Sequence, residues 1–438
     1  MGIKVAKFGG SSLANSEQFN KARQLVRADP ERRYVVPSAP GKRFKEDQKI
    51  TDLLYLCHAS AAQKVSFDET FELIRDRYLN IAEELSLAID LYPLLDQIHE
   101  DIQQGASADY AASRGEYLNA HMMAAMLGYD FVDAADIVFF NARGTFDAAK
   151  TQEAVSKRLA QHERAVVPGF YGSMPDGSIK TFSRGGSDIT GAIVARGAAA
   201  SVYENWTDVP GLLMADPRIV SDPKPIEIVT YRELRELAYM GATVLHDEAI
   251  FPVREAGIPV HIRSTNEPDA PGTRIVRDAG PPKGKGAITG IAGRKDFTVI
   301  AVEKALMNAE IGFGRRLLTV LEANDVSFEH MPSGIDTMSV VVADAQLDGK
   351  LDKLIEEIHH EVRPDSLDVY PNMALIATVG RAMAHMPGMA AKLFAALASA
   401  GINIRMIDQG SSELNIIVGI EASDFEQAIR AIYHAFVI

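Results

Sequence analysis

Four stretches of this sequence set fixed charges beside glycines or inside apolar helices, and these are the groups whose types and spacing could do chemistry. Lys7-Phe8-Gly9-Gly10-Ser11-Ser12 puts a cation and two glycines where a strand-like run turns toward a helix. Glycine pairs let backbone N–H groups approach an anion closely, and a helix N-terminus behind them adds its dipole. The lysine precedes the glycines, so this is neither G-x-x-x-x-G-K-[ST] nor G-x-G-x-x-G. Taken alone, a plain strand–helix turn with an exposed lysine accounts for it equally well. SRGGSDITGA (183–192) is a second glycine-rich turn entering a helix. It offers Arg184 to a carboxylate or phosphate and Asp188 in the first helical turn, where a dipole-facing acid and a surface cation are the plainer alternative. NWTDVPGLLMADPR (205–218) ends a strand on Thr207 and Asp208 before a Pro-Gly turn, then Asp216-Pro217-Arg218. Turn chemistry alone also produces such a loop. In SRGEYLNAHMMAAML (113–127), Glu116 sits in an otherwise apolar helix. Buried without a partner it would be costly, so exposure to solvent is the simpler expectation.

The elements that must position these groups alternate strand and helix over about the first 275 residues. KVAKFG reads as a strand, and Ser16 then caps a helix with Phe19, Ala22, Leu25 and Val26 on one face. YVVPSAPG is a second strand running into a turn. Helical patterns fill 51–63, 67–90 and 107–127, DIVFFNA and RAVVPGFYG read as strands, a helix runs from about Ser187 to Ala199, and SVYENW is a strand. The alternation predicts an α/β domain with a doubly wound, mostly parallel sheet that binds ligands outside the carboxyl ends of its strands.

DAGPPKGKGAITG (278–290) reads as a linker, and beyond it lies a repeat. GFGRRLLTVLEANDVSFEHM (312–331) aligns with GMAAKLFAALASAGINIRMI (388–407) at an offset of 76, matching Gly312 with Gly388, Leu317 with Leu393, Leu321 with Leu397, Val326 with Ile402 and Phe328 with Ile404. SVVV meets NIIV downstream, and each copy reads strand, glycine turn, amphipathic helix, strand, strand, helix. That order predicts two ferredoxin-like α+β units.

Composition narrows the function classes. The chain has 438 residues, 47% of them hydrophobic, enough for two or three domains. A net charge of −14 argues against nucleic acid or an anionic membrane as the main partner. The single Cys57 excludes an intrachain disulfide and fits a reducing cytosol, hence a cytoplasmic location. No apolar run approaches the ~20 residues of a membrane span. Met1-Gly2 lacks the Ser or Thr of a myristoylation signal, and the sequon Asn205-Trp206-Thr207 reads as chance. The histidines show no metal-ligand spacing, KRFKEDQK (42–49) mixes signs and reads as a solvated loop, and HMMAAM reads as core filling.

Taken in order, KFGGSS, VPSAPG with ITDLL, SRGEYLN, FSRGGSD, WTDVPG with ADPR, and MGATVLH resemble the catalytic domain of the aspartate kinases (aspartokinases), members of the amino-acid-kinase family, and the duplicated units resemble that family's paired ACT domains. The resemblance spans essentially the whole chain. It implies a catalytic domain over 1–277, a linker over 278–287 and a regulatory region over 288–438. Its two ACT domains would cover about 297–372 and 373–438, with the first strand of the second drawn from around 288–292. The implied reaction is ATP + L-aspartate → 4-phospho-L-aspartate + ADP with Mg²⁺, opening lysine, threonine and methionine synthesis. By motif position Lys7, Gly9 and Gly10 contact the transferring phosphate. Ser38, Thr51, Glu116 and Arg184 line or bind aspartate, Glu116 at its ammonium and Arg184 at a carboxylate. Asp188 orients Lys7 or the substrate amine. Thr207, Asp208, Leu213, Arg218, Thr243 and Val244 hold the nucleotide, with Asp208 reaching Mg²⁺ through water; no residue is assigned as a direct metal ligand.

The resemblance also implies feedback by an amino acid, lysine and/or threonine, at Met307, Glu310, Gly312, Phe313, Phe328, Glu329 and Ser333, and a homodimer or homotetramer joined through ACT domains. Two departures stand out. The family's F-G-A-K-V-L-H-P reads MGATVLHD here, with Thr243 in place of the lysine, and the usual nucleotide-loop tyrosine is Leu213. The rival expectations are a catalytically impaired amino-acid sensor and a related carboxylate kinase such as glutamate 5-kinase. No fused homoserine dehydrogenase is expected.

Overall fold

Valine, alanine and phenylalanine alternate with lysine in the first strand, β1 (Lys4–Phe8), and this alternation divides its two faces. Ala6 and Phe8 enter one core, while Val5 and Lys7 point to the other side of the sheet. The computed structural model describes residues 2–183, 185–242, 247–280, 288–383, 386–410 and 412–437. The chain divides into two units, one of Met1–Leu212, Pro225–Tyr231 and Thr243–Ala279, the other of Leu213–Lys224, Arg232–Ala242 and Gly280–Ile438.

In the first unit β1 is followed by β2 (Arg32–Pro37), β3 (Asp130–Phe131), β4 (Ala165–Val166), the hairpin β5 (Tyr171–Ser173) and β6 (Ile179–Thr181), β7 (Val202–Thr207), β8 (Ile228–Thr230), β9 (Val260–Ser264) and β10 (Thr273–Val276). Apart from the hairpin these form one sheet in the order β3-β4-β2-β1-β7-β9-β10-β8. Its pairings are parallel except β9 with β10. Helices α1 (Ser16–Ala28), α2 (Ile50–Ala62), α3 (Asp68–Glu84), α4 (Tyr92–Gln103) and α5 (Ala108–Leu127) share a core with Ala6, Phe8, Val35, Val166 and Trp206. Then come α6 (Ala148–Leu159), α7 (Gly186–Gly197) and α9 (Phe251–Ala256), whereas α8 (Tyr231–Tyr239) belongs to the second unit from Arg232 onward. Helix α7 packs on β1, β2 and β7, flanked by α6 and α9. Both faces of the sheet are covered, which explains the nearly continuous apolar character of its central strands.

The structure departs from the sequence reading at several places. Asn15, not Ser16, caps α1 by accepting the Gln18 N–H at 3.0 Å. The helix expected over 67–90 ends at Glu84, and Tyr92–Gln103 is a further helix with Pro93 in its first turn. DIVFFNA is not a regular strand: Asp136 closes a 3₁₀ turn, and Phe139 and Phe140 make only isolated bridges to Ser173 and Phe146. Its apolar run fills a loop core rather than a ladder.

The second unit contains β11 (Gly290–Glu303), α10 (Phe313–Ala323), β12 (Thr337–Ala343), α11 (Asp344–Leu347), α12 (Leu351–Val362), β13 (Ser366–Val379), α13 (Met389–Ser399), β14 (Met406–Asp408), β15 (Asn415–Glu421) and α14 (Phe425–Val437). Its antiparallel sheet has the order β12-β11-β13-β15-β14. The matched glycines of the repeat both take left-handed backbone as helix N-caps, Gly312 at φ 83° and Gly388 at φ 88°. Leu317 and Leu393 are both fully buried. Yet the two copies do not build separate sheets. β11 and β13 pair along their whole length, from Gly290 with Val379 to Glu303 with Ser366. The later half of β11 lies beside β12 over one core, and its early half faces the end of β13, which β15 flanks over another. The strand expected after α10 is absent, for His330 and Ser333 make only isolated bridges to β12.

Residues 213–224 and 232–242 belong to this unit. Ala215 and Val220 enter the core beneath α13 and α14. Glu233 of α8, fully buried, accepts the Arg381 backbone N–H at 3.0 Å, its guanidinium at 3.2 Å and the Thr289 hydroxyl at 2.5 Å. Glu236 accepts Asn415 Nδ2 at 2.6 Å. Taking the guanidinium from a buried carboxylate is expensive. Arg381→Ala is therefore expected to lower the stability of this unit by about 3 kcal/mol in urea denaturation, and Glu233→Gln combined with Arg381→Met to recover most of that loss.

Candidate active site

Parallel pairing of β1 with β7 sets Lys7 directly beside Asn205, both on the face toward α7. Asp188 in the first turn of α7 meets both. Lys7 Nζ lies 2.6 Å from Asp188 Oδ1, and Asn205 Nδ2 donates to the same oxygen at 2.9 Å. The Asp188 backbone carbonyl also accepts the Tyr203 hydroxyl at 3.1 Å, tying α7 to β7. Lys7 and Asn205 are 7% and 4% exposed, so the pair is largely withdrawn from water and its hydrogen bonds are correspondingly strong.

These groups open onto a cavity of about 200 Å³ lined by Lys7, Ser38, Thr51, Glu116, Phe170, Gly185, Gly186, Ser187 and Asp188. It lies at the carboxyl end of β1 and β2, where an open parallel sheet binds its ligands. The 12-residue α7 presents its N-terminus to the cavity, and Gly185 enters it with left-handed backbone at φ 56°. Amides at such a terminus favour an anion. On the opposite wall Ser187 Oγ approaches Glu116 Oε1 at 3.5 Å. Glu116 is 6% exposed, which corrects the expectation that it faces solvent. Its other oxygen has no hydrogen-bond partner among the described residues. A buried, half-satisfied carboxylate facing a cavity is poised for a cationic group of a ligand.

The site can therefore hold an anion between a lysine and a helix N-terminus, with a carboxylate opposite. Residues 2–264 match the amino acid kinase family, and residues 376–436 match an ACT domain. Aspartokinase 3 of Bacillus subtilis is 41% identical over 99% of this chain and 98% of its own length. The chain belongs to the aspartokinase family. The aspartate kinase of Clostridium acetobutylicum superposes with a TM-score of 0.95 at 56% identity, covering 99% of this chain and all of that one. Escherichia coli aspartokinase III in complex with aspartate and ADP gives a TM-score of 0.75 at 26% identity over the whole of both chains.

Within this aspartokinase, Lys7, Ser38, Thr51, Glu116 and Asp188 converge on one cavity as the sequence grouped them. The glycine turn differs from expectation. The Gly9 N–H is already given to the Trp206 carbonyl at 2.9 Å, and Gly10 starts a four-residue 3₁₀ turn rather than a long helix. Gly10 is needed for contact: a Cβ there would lie 2.9 Å from the Ala39 carbonyl. Thr207 and Asp208 follow at the end of β7, the Thr207 hydroxyl donating to Asp208 at 3.1 Å. Leu213 and Arg218 fall in the second unit, where Arg218 is exposed and pairs with Asp216 at 2.6 Å. Arg184, Thr243 and Val244, with part of the linker, lie outside the described residues. Of the effector set, Met307 and Phe313 are buried in the core of their half-sheet, and Glu310 is held by Lys304 at 2.7 Å and by Arg316. Phe328 is exposed, Glu329 accepts the Tyr239 hydroxyl, and Ser333 bridges to Met338.

Asn205 and Phe170 escaped the sequence reading. Asn205 stood in a chance sequon, and its burial shows it is no glycosylation acceptor. The available signal was strand periodicity, which places it on the same face as Thr207.

Burial pushes the Glu116 carboxyl up from 4.5 to about 7, only partly opposed by neighbouring donors and by Lys7. A raised carboxyl pKa penalises the folded state once the group must ionise. The ligand-free protein is thus expected to lose stability as pH rises from 4.5 to about 7. Glu116→Gln should raise stability at pH 8 by on the order of 2–3 kcal/mol and leave it nearly unchanged near pH 4, as read by urea denaturation at both pH values.

Proposed function

We propose that this chain transfers the γ-phosphoryl group of ATP to the side-chain carboxylate of L-aspartate, giving 4-phospho-L-aspartate and ADP. The observation that carries the reading is the Lys7–Asp188–Asn205 cluster facing Glu116 across one cavity at the mouth of α7. The acceptor carboxylate is already ionised, so the site needs no strong base; it needs alignment and neutralisation of phosphoryl charge. Lys7 and the Gly10 and α7 amides stabilise the charge of the transferring group, with Asp188 and Asn205 holding Lys7 in line. Glu116 takes the aspartate ammonium, Ser38 and Thr51 border it, and Arg184 takes a carboxylate. Thr207, Asp208, Leu213, Arg218, Thr243 and Val244 hold the nucleotide. With threonine at 243, Lys7 carries more of the phosphate charge than in relatives with lysine there.

No cluster of three His, Cys, Asp or Glu able to cage a metal occurs among the described residues. The donor set suits an Mg²⁺ bound mainly through phosphates and water, with Asp208 as the protein carboxylate. Such an ion would supply charge neutralisation to the phosphates.

Residues 1–277 are read as the catalytic domain and 288–438 as the regulatory region. The E. coli enzyme is also known in complex with lysine and aspartate, at a TM-score of 0.74. For this chain an amino-acid effector, lysine and/or threonine, is proposed at the turn before α10, in a homodimer or homotetramer joined through ACT domains. No described helix is long and apolar enough to cross a membrane, and a cytoplasmic location is proposed.

A hydroxamate assay with ATP, Mg²⁺ and L-aspartate tests the reading. Acyl phosphate should form from aspartate and not from glutamate, and titration of lysine and threonine should reveal the inhibitor. Absence of any product would leave the sensor reading standing instead. Lys7→Met is expected to lower kcat at least 100-fold, about 3 kcal/mol of transition-state stabilisation, while the thermal midpoint moves little. Below about pH 7 Glu116 protonates, so the KM for aspartate should rise as pH falls from 8 to 6, and Glu116→Gln should flatten that profile.

A further inference from the structure

The loop between Ser38 and Lys49 was expected to be solvated, but its acid is buried. Asp47 is 8% exposed and receives two arginines. Arg43 donates to it through its backbone N–H, Nε and Nη2, each at 2.9 Å. Arg77 of α3, itself 6% exposed, donates through Nη2 to both Asp47 oxygens at 3.0 and 2.8 Å. Its Nη1 donates to the Gly41 carbonyl at 3.2 Å. One guanidinium thus staples the two halves of the loop together.

The loop is no bystander to the site. Its ends, Ser38 and the adjoining Thr51, line the cavity. Gly41 donates its N–H to the Gly10 carbonyl at 2.8 Å, and a Cβ on Gly41 would lie 2.6 Å from Gly10 C and 2.7 Å from Ser11 N. The glycine turn after Lys7 therefore rests directly on Gly41, and Gly41 hangs from Arg77. The neighbouring Tyr78 gives its hydroxyl to the Gly115 carbonyl at 2.8 Å, next to Glu116.

We propose that Arg77 is a positioning residue for phosphoryl transfer: by holding Gly41 and Asp47 at once, it presses the loop against Gly10 and sets the turn that faces the transferring phosphate. This rests on the kinase reading above. A guanidinium suits the task because it forks to several acceptors in one plane, which an ammonium cannot do. The bonds to a buried carboxylate resist the opening of a loop that is otherwise rich in exposed lysine.

The test compares wild type with Arg77→Met, Asp47→Asn and the double variant. Arg77→Met is expected to lower kcat 10- to 100-fold at saturating ATP and aspartate, with the aspartate KM changed less than 3-fold. The double variant should be no slower than the slower single variant, and guanidinium added to Arg77→Ala should restore several-fold activity. In the ligand-free protein, amide exchange at Gly41 and Ser12 should accelerate at least 10-fold in Arg77→Met while β1 keeps its protection. That arm needs no substrate, so it reads the staple even if aspartate proves not to be phosphorylated. Wild-type kcat, or wild-type exchange at Gly41, in folded Arg77→Met overturns the proposal, as does additive loss in the double variant. Should Arg77→Met not fold, Arg77→Lys carries the same comparison, with partial loss of kcat and partial loss of protection expected.

Discussion

The salt bridge between Lys7 and Asp188 is the interaction on which the first unit is organised. An ion pair withdrawn from water repays its desolvation only when geometry is good and remaining hydrogen-bond capacity is met. Here that condition is met by Asn205, which shares the Asp188 oxygen, and by Tyr203, which anchors the backbone of the same residue. Both come from β7, and Lys7 comes from β1. The pair therefore requires β1 and β7 to be parallel neighbours in one register and α7 to lie across them. A shift of one residue in that register would turn Lys7 or Asn205 into the opposite core. The charge geometry of the site and the topology of the sheet are one constraint.

Around this pair the walls of the cavity are made by close backbone approach. Gly41 sits on Gly10, with no space for a side chain. Such contact leaves the cavity little freedom to collapse or widen, which suits a reaction governed by alignment. Glu116 is the costly element of the arrangement. It is buried with one oxygen unpartnered, and its ionisation is held near neutrality. In the proposed function that cost is met by the aspartate ammonium, a trade of stability for recognition.

The second unit is built differently. The two copies of the repeat share one sheet, and β11 and β13 each serve two cores. The two strands run continuously through both half-sheets and are joined by one antiparallel ladder. Helix α8 is joined to the same sheet through Glu233 with Arg381 and Thr289, and through Glu236 with Asn415. It leads in sequence to the MGATVLH stretch.

Much of this was legible in the residues themselves. Strand–helix alternation specified the doubly wound sheet, since burial on both faces demands apolar runs and crossovers demand helices. The offset of 76 placed Gly312 and Gly388 and their buried leucines correctly, because a helix face imprints its period on the sequence. The motifs that resemble the aspartate kinases, taken in order, grouped Lys7, Glu116 and Asp188, which no single motif did. What escaped depended on contacts between distant segments. Asn205 acquires its role only from strand register. The Gly9 N–H is spent on Trp206, and Asp47 is buried because α3 brings Arg77 to it. The early part of β11 does pair with the end of β13, as the resemblance implied for 288–292, but its continuity with the strand of the first half-sheet is a pairing choice that local propensity does not set. Local propensity and periodicity are written in neighbouring residues, so the sequence alone determined most of the elements and the chemical groups. Register, burial and hydrogen-bond partnership depend on which distant surfaces meet, and only the tertiary structure decided those.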